Sequence, residues 1–243
     1  MLILRTEQMD AFSQRMLTSF ENEMLANSQQ YYPELCENVG EHQLRLFVRS
    51  AMERAGNFGL SARGPVRLFI EMSLLCGSSF DTDPQYPWAG AILRNGKPQM
   101  ERADALYWAI VDYQKHLPPP DGTRLGASLK QAQMQMLTSF GTDLEQGTSC
   151  LSTAIRHVWP EKVAYVGTSN LNVLIRAMLN TARTRSIVDA DAHLLLLTLM
   201  LVCGHGCFDD PLYPWLSKAL CPAALQDAAL TWFDDVLSAQ LAG

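Results

Sequence analysis

CGSSFDTDPQYPW at residues 76–88 returns as CGHGCFDDPLYPW at residues 203–215, with the cysteine, the glycine, Asp-Pro and Tyr-Pro-Trp in register 127 positions apart. A repeat decides architecture before any single motif does, because each copy must build the same supersecondary unit. Carried upstream without a gap, the same offset pairs Pro33-Glu34 with Pro160-Glu161, Val39-Gly40 with Val166-Gly167, Leu44 with Leu171 and Arg49 with Arg176. It continues through Ala55 and Ala182, Leu68 and Leu195, and Leu74 and Leu201. Further up, MLTSF at 16–20 recurs at 136–140, an offset of 120, so the second copy carries extra residues before Pro160. Downstream, Ala105-Leu106-x-Trp108 resembles Ala229-Leu230-x-Trp232. The chain is therefore expected to divide into a repeat at 1–117, a Pro/Gly-rich linker at 118–126 and a second repeat at 127–243.

The periodicity inside each copy is helical. Met9, Phe12, Met16, Phe20 and Met24 fall at three- and four-residue steps behind a capping Thr6, and Leu129, Ala132, Met136, Phe140 and Leu144 form the partner stripe. A second helix is predicted from about Glu41 to Ala55 through Leu44, Phe47, Val48 and Met52, and a third from Pro65 to Cys76, ending before Gly77. No stretch alternates strictly between apolar and polar residues around a hairpin turn, so no sheet is predicted. The expected fold is all-α: two tandem bundles of about five helices each, related by a pseudo-two-fold.

Composition narrows the function. Hydrophobic residues make up 48% of 243, ample for a packed core, which excludes a disordered chain. Lys+Arg 19 against Asp+Glu 25 gives a net charge of −6 and a pI near 5.3, without the basic excess that a phosphate backbone demands, so nucleic acid is not an expected partner. The N-terminus MLILRTEQMDAF lacks the apolar region and cleavage site of a signal peptide. The longest apolar run, Leu194 to Val202, is about half a membrane span and is flanked by His193 and His205, so no membrane partner is expected. Six cysteines, Cys36, Cys76, Cys150, Cys203, Cys207 and Cys221, are too sparse for a disulfide scaffold and read as free thiols in a reducing compartment.

The repeated loop carries two readings. Asp83 and Asp210 precede proline, so each is placed to cap a helix whose first residue is Pro84 or Pro211, with Pro87 or Pro214 still inside the first turn where no N–H is required. Trp88 and Trp215 then pack back on the preceding Cys-Gly helix end. Alternatively Phe80, Asp81 and Asp83, with Phe208, Asp209 and Asp210, form acidic aromatic loops that bind an Arg or another cation of a partner. With Trp88 and Trp215, these residues make up the candidate binding set of eight. A calcium loop would need further oxygen ligands and a downstream Glu that do not follow Asp81.

No catalytic or metal site is expected. Cys203-x-His205-x-Cys207-x-Asp209 has ligand-type residues, but its counterpart reads Cys76, Ser78, Phe80, and the spacing is not that of paired zinc ligands. Gly-x-Ser-x-Gly, a Gly-rich phosphate loop and His-Glu-x-x-His are all missing, and His42, His116, His157, His193 and His205 have no partner pattern. No cofactor is implied. Arg49 and Arg176 are expected to pair with the motif aspartates or with Glu34 and Glu161. Met9, Met16, Met24, Met134 and Met136 suit either adaptable contact or core.

ILRTEQMDAF at 3–12, MLTSFENEM at 16–24 and CGSSFDTDPQYPW at 76–88 resemble co-chaperone or adaptor proteins encoded with PAAR-dependent effectors of the type VI secretion system. The resemblance implies a cytoplasmic, non-enzymatic protein that binds an effector toxin or its dedicated chaperone and assists loading onto the spike. It brings no catalytic residues. The alternatives are an immunity protein for a secreted toxin, or a small all-α enzyme or ligand-binding protein using the acidic loops.

Overall fold

Proline at positions 33 and 160 starts a helix in each half, because its fixed φ suits the first turn and its missing N–H is not needed there. A computed structural model describes residues 6–117, 144–187 and 190–218. Its helices are α1 (Thr6–Tyr31), α2 (Pro33–Val39), α3 (Glu41–Asn57), α4 (Arg63–Cys76), α5 (Pro87–Leu93), α6 (Gln99–His116), α7 (Leu144–Val158), α8 (Pro160–Thr184), α9 (Ala190–Cys203), a 3₁₀ turn at Cys207–Asp209, and α10 (Pro214–Lys218). No strand occurs among the described residues, and none of their helices is long and apolar enough to cross a membrane.

Local geometry recurs at the sequence offset. Gly40, with φ 80° and ψ 152°, separates α2 from α3, and Gly167, with φ 78° and ψ 155°, breaks α8 at the matching place. Both need the positive φ that glycine adopts freely. The end of α3 closes through Leu60 N–H to Ala55 C=O and Gly59 N–H to Gly56 C=O. The end of α8 repeats the pattern through Ile187 to Ala182 and Ser186 to Arg183. Both satisfy last-turn carbonyls that would otherwise be orphaned.

The expected helices 41–55 and 65–76 are present with slightly wider ends. Residues 6–117 hold six helices where the pattern predicts about five, since the short α2 stands apart beyond the Gly40 break. The α1 stripe is buried only in part. Met24 lies in the core and Phe20 at its edge, but Met16 is 52% exposed and residues 15–19 all face outward. Met9, Phe12 and the whole partner stripe from Leu129 to Leu144 lie outside the residues whose side chains are described, as do Cys221 and Trp232. What fixes α1 to α3 is Glu21, which accepts from Arg45 Nη1 at 2.8 Å and from Arg49 Nε at 2.9 Å. The Arg49 bond holds its carboxyl below the ordinary value. Arg49 is thus a partner of Glu21 and not of a motif aspartate or Glu34.

The buried apolar side chains form one contiguous cluster drawn from both halves. Leu44, Phe47, Val48 and Ala51 of α3 and Phe69, Ile70 and Met72 of α4 belong to it, and α9 is buried at every described position from Ala192 to Leu201. A helix apolar on all sides belongs inside. Arg102 of α6 donates Nη1 to both Phe58 C=O and Leu93 C=O at 2.7 Å, tying α6 to the ends of α3 and α5.

Candidate functional site

The ends of α4 and α9 meet, and the repeated loops fold over the meeting point. Gly77 and Gly204 follow the two helices with φ 89° and φ 90°. A Cβ on Gly77 would stand 2.3 Å from Cys203 C=O, and one on Gly204 would stand 2.7 Å from Cys76 C=O. Both positions therefore require glycine on two counts, backbone conformation and close approach.

The motif aspartates clasp this junction reciprocally. Asp83 accepts Gln85 N–H through Oδ1 at 2.9 Å and the backbone N–H of His205, in the other repeat, through Oδ2 at 2.7 Å. Asp210 accepts Leu212 N–H through Oδ1 at 2.9 Å and the backbone N–H of Ser78 through Oδ2 at 2.9 Å. Ser78 and His205 are themselves counterparts at the offset of 127. Burial pushes the Asp210 carboxyl up, against the pull of its two backbone donors. The predicted helix cap needs correction here: α5 starts at Pro87 and α10 at Pro214, with Tyr86 at the N-cap of α5, while Asp83–Tyr86 forms a turn. Each aspartate caps that turn on itself and spends its second oxygen across the junction.

Around the clasp the repeats diverge. Gln85, fully buried, donates Nε2 to Met200 C=O at 2.8 Å and so satisfies a carbonyl in the last turn of α9, whereas its counterpart is Leu212. Asp81 is buried and ion-paired with Arg54, while Arg185 meets Asp209 at 3.1 Å and lies 4.9 Å from the Phe208 ring centroid. Most distinctive is Lys162, 1% exposed, whose Nζ donates to the hydroxyls of Tyr86 at 3.4 Å and Tyr113. Its ammonium lies 4.9, 4.7 and 5.6 Å from the ring centroids of Tyr86, Tyr113 and Trp159. Burial lowers its pKa to about 8, opposed by Cys76 and Asp83. The Cys76 thiol is pushed up to about 12 by burial, and the Cys203 and Cys207 thiols are also held protonated.

Of the eight candidate residues, Phe80, Asp81, Asp83, Phe208 and Asp210 are buried, and Trp88 and Trp215 are half-buried against the core. Phe80 lies tilted against Phe69 with ring centroids 4.8 Å apart, and Trp88 stands edge-on to Tyr86 at 5.9 Å. Asp209 alone faces solvent, its side chain 93% exposed. The structure thus brings these residues together as an internal junction. Cys203 and Cys207 are buried while Asp209 points outward, and no group of three or more metal-binding side chains occurs among the described residues. No disulfide joins the described cysteines, Cys36, Cys76, Cys150, Cys203 and Cys207.

Motif reading missed Lys162. Its signal was present as a mismatch, Lys162 against Leu35, directly after the matched Pro-Glu pair. It missed equally the outward face of α6, where Met100 (61%), Tyr107 (49%) and Trp108 (59%) are exposed on a helix whose other side supplies Leu106 and Ile110 to the core. Comparison with protein-family models, with curated proteins and with solved structures finds no match.

Proposed function

We propose that this chain is a non-enzymatic adaptor or co-chaperone that binds a type VI secretion effector, or that effector's dedicated chaperone, and assists its loading onto the spike in the cytoplasm. The observation that carries the reading is the exposed Met100, Tyr107 and Trp108 on α6, large apolar groups left uncovered on a well-anchored helix. Such groups supply anchors of protein interfaces. The resemblance of residues 3–24 and 76–88 to secretion co-chaperones names the kind of partner. The acidic and thiol groups of the junction are engaged or protonated inside the molecule, so the reading assigns the repeated motif to holding two halves together.

On the same reading the repeats 1–117 and 127–243 are bundles related by a pseudo-two-fold axis running between Gly77 and Gly204. Its support is the reciprocity of Asp83 with His205 and of Asp210 with Ser78. The test of function is co-expression of the full chain with a PAAR-containing effector and the chaperone encoded beside it, followed by affinity purification and light scattering. A stoichiometric complex is expected. Failure to bind either protein refutes the adaptor reading, and protection of cells from the toxin by co-expression alone would replace it with an immunity function.

A further inference from the structure

We propose that the outward face of α6 is the docking surface for a basic amphipathic helix of the partner protein; the proposal rests on the adaptor reading and specifies the chemistry of the contact. On a helix, residues three and four apart are neighbours. Trp108 therefore stands between Asp104, one turn before it, and Asp112, one turn after, with Glu101 continuing the row toward the N-terminus. Glu101 and Asp104 are exposed, and the Asp112 side chain is 66% exposed. Met100, Tyr107 and the half-exposed Val111 run beside this row, and Tyr107 meets Trp108 edge-to-face at 5.3 Å, which stiffens the aromatic pair. Arg102, Ala103, Leu106 and Ile110 anchor the opposite side, so the face is presented by a fixed helix and not by a loop.

The arrangement selects its occupant by charge. An aromatic ring flanked by carboxylates accepts a stacked guanidinium or ammonium and holds its N–H groups on either side. An adjoining apolar strip accepts the leucine-type residues that an amphipathic helix carries at three- and four-residue steps. The bases at this end of α6 are Lys115 and His116, and His116 already engages the Asp112 carbonyl through Nδ1 at 2.8 Å. A second copy of this chain would bring a second acidic row against the first, and an acidic peptide would meet like charge along two turns. A cationic helix meets neither penalty.

The test uses the full chain and a labelled 18-residue Leu/Arg peptide with amphipathic spacing, with a scrambled peptide of the same composition and a Leu/Glu peptide as controls, read by fluorescence anisotropy at low and high salt. The amphipathic Leu/Arg peptide should bind at least about tenfold more tightly than either control, and Trp108→Ala should weaken it by about tenfold or more. Asp104→Lys with Asp112→Lys should weaken it more at low salt than at high salt. Unchanged thermal midpoints establish that these variants fold, and Asp104→Asn with Asp112→Asn provides a milder pair. Equal affinity for the scrambled peptide, or for Trp108→Ala, overturns the proposal. So does a wild-type dimer that Trp108→Ala converts to monomer, since a second copy would then own the face. Loss of the effector or chaperone complex in Trp108→Ala supports it, whereas a complex that survives that change overturns this face and leaves the adaptor reading standing. Trp108-dependent peptide binding without any effector or chaperone complex overturns the adaptor reading and leaves the face.

Discussion

Replacing Lys162 by leucine, the residue type at the matching position of the first repeat, should stabilise the protein near neutral pH. The ammonium is buried, has no carboxylate in ion-pair contact among the described residues, and its pKa falls from 10.5 to about 8. That fall corresponds to roughly 3 kcal/mol of cost for keeping the proton in the fold, at about 1.4 kcal/mol per pH unit. Contacts with three aromatic rings and two phenol oxygens return part of it, on the order of 1 to 2 kcal/mol. The Lys162→Leu variant should therefore gain about 1 to 2 kcal/mol at pH 7, in line with buried charges replaced by apolar groups. The sign with pH follows from the depressed value. Between pH 8 and 10.5 the unfolded chain still binds the proton that the folded chain has released, so the wild type gains stability relative to the variant as pH rises, and the gap of about 1 to 2 kcal/mol closes within that interval. Below pH 8 the gap is flat. Urea unfolding of both proteins from about pH 6.5 to about pH 10, followed by tryptophan fluorescence, measures it. The difference cancels the losses that both proteins suffer as the buried thiols Cys76, Cys203 and Cys207 ionise in the unfolded chain above about pH 9. A variant less stable than wild type at neutral pH, with a gap that does not change with pH, would refute the reasoning.

Gly77→Ala and Gly204→Ala should each cost more than about 2 kcal/mol in urea unfolding, since strain at positive φ adds to a clash with a backbone carbonyl. Asp83→Ala and Asp210→Ala should each cost about 2 to 4 kcal/mol, beyond the ~1 kcal/mol of a lost cap, because buried N–H groups in both repeats lose their acceptor; hydrogen exchange should show faster exchange at His205 and Ser78 respectively. Asp81→Lys should cost about 3 kcal/mol or more by placing a buried cation against Arg54, whereas Asp209→Lys should shift the unfolding midpoint little. All six thiols should react with a thiol reagent after denaturation without reductant, while Cys76, Cys203 and Cys207 should react slowly in the native protein.

The helical class and several helix ends were legible because proline, glycine and apolar spacing act locally. Pro33 and Pro160 start helices wherever they stand, and Gly77 ends one. What the aspartates do was legible only by half. Asp-x-Gln and Asp-x-Leu announce a turn-capping carboxylate, but the second oxygen serves an N–H on a distant loop of the other repeat, and no local pattern names that donor. Asp81 reads as an exposed acid because its partner Arg54 sits on another helix. Met16 obeys the helical stripe and still lies open, since α3 meets α1 through Glu21, a turn further on. Trp108 repeats as Trp232, yet a matched aromatic says nothing about which side of the helix the core occupies.

The junction concentrates negative charge. Two helix C-termini, each equivalent to about half a negative charge, converge at Gly77 and Gly204, and Asp81, Asp83 and Asp210 add carboxylates beside them. Ends of like sign brought together need cations nearby. Arg54 supplies one, pairing with Asp81 and lowering the cost of the charge on Asp210. The buried Lys162 is a second, held at a net cost that Asp83 and Cys76 only partly offset, and His205 gives its backbone N–H to Asp83 Oδ2 at 2.7 Å. All three basic residues lie where a perfectly repeated chain would have placed something else: Thr181 matches Arg54, Leu35 matches Lys162 and Ser78 matches His205. The clasp is repeated, but the basic residues around it are not. The repeated motif thus supplies the reciprocal bonds between the two loops, while Arg54, Gln85 and Lys162, unmatched in the other repeat, make the two sides of the junction chemically different.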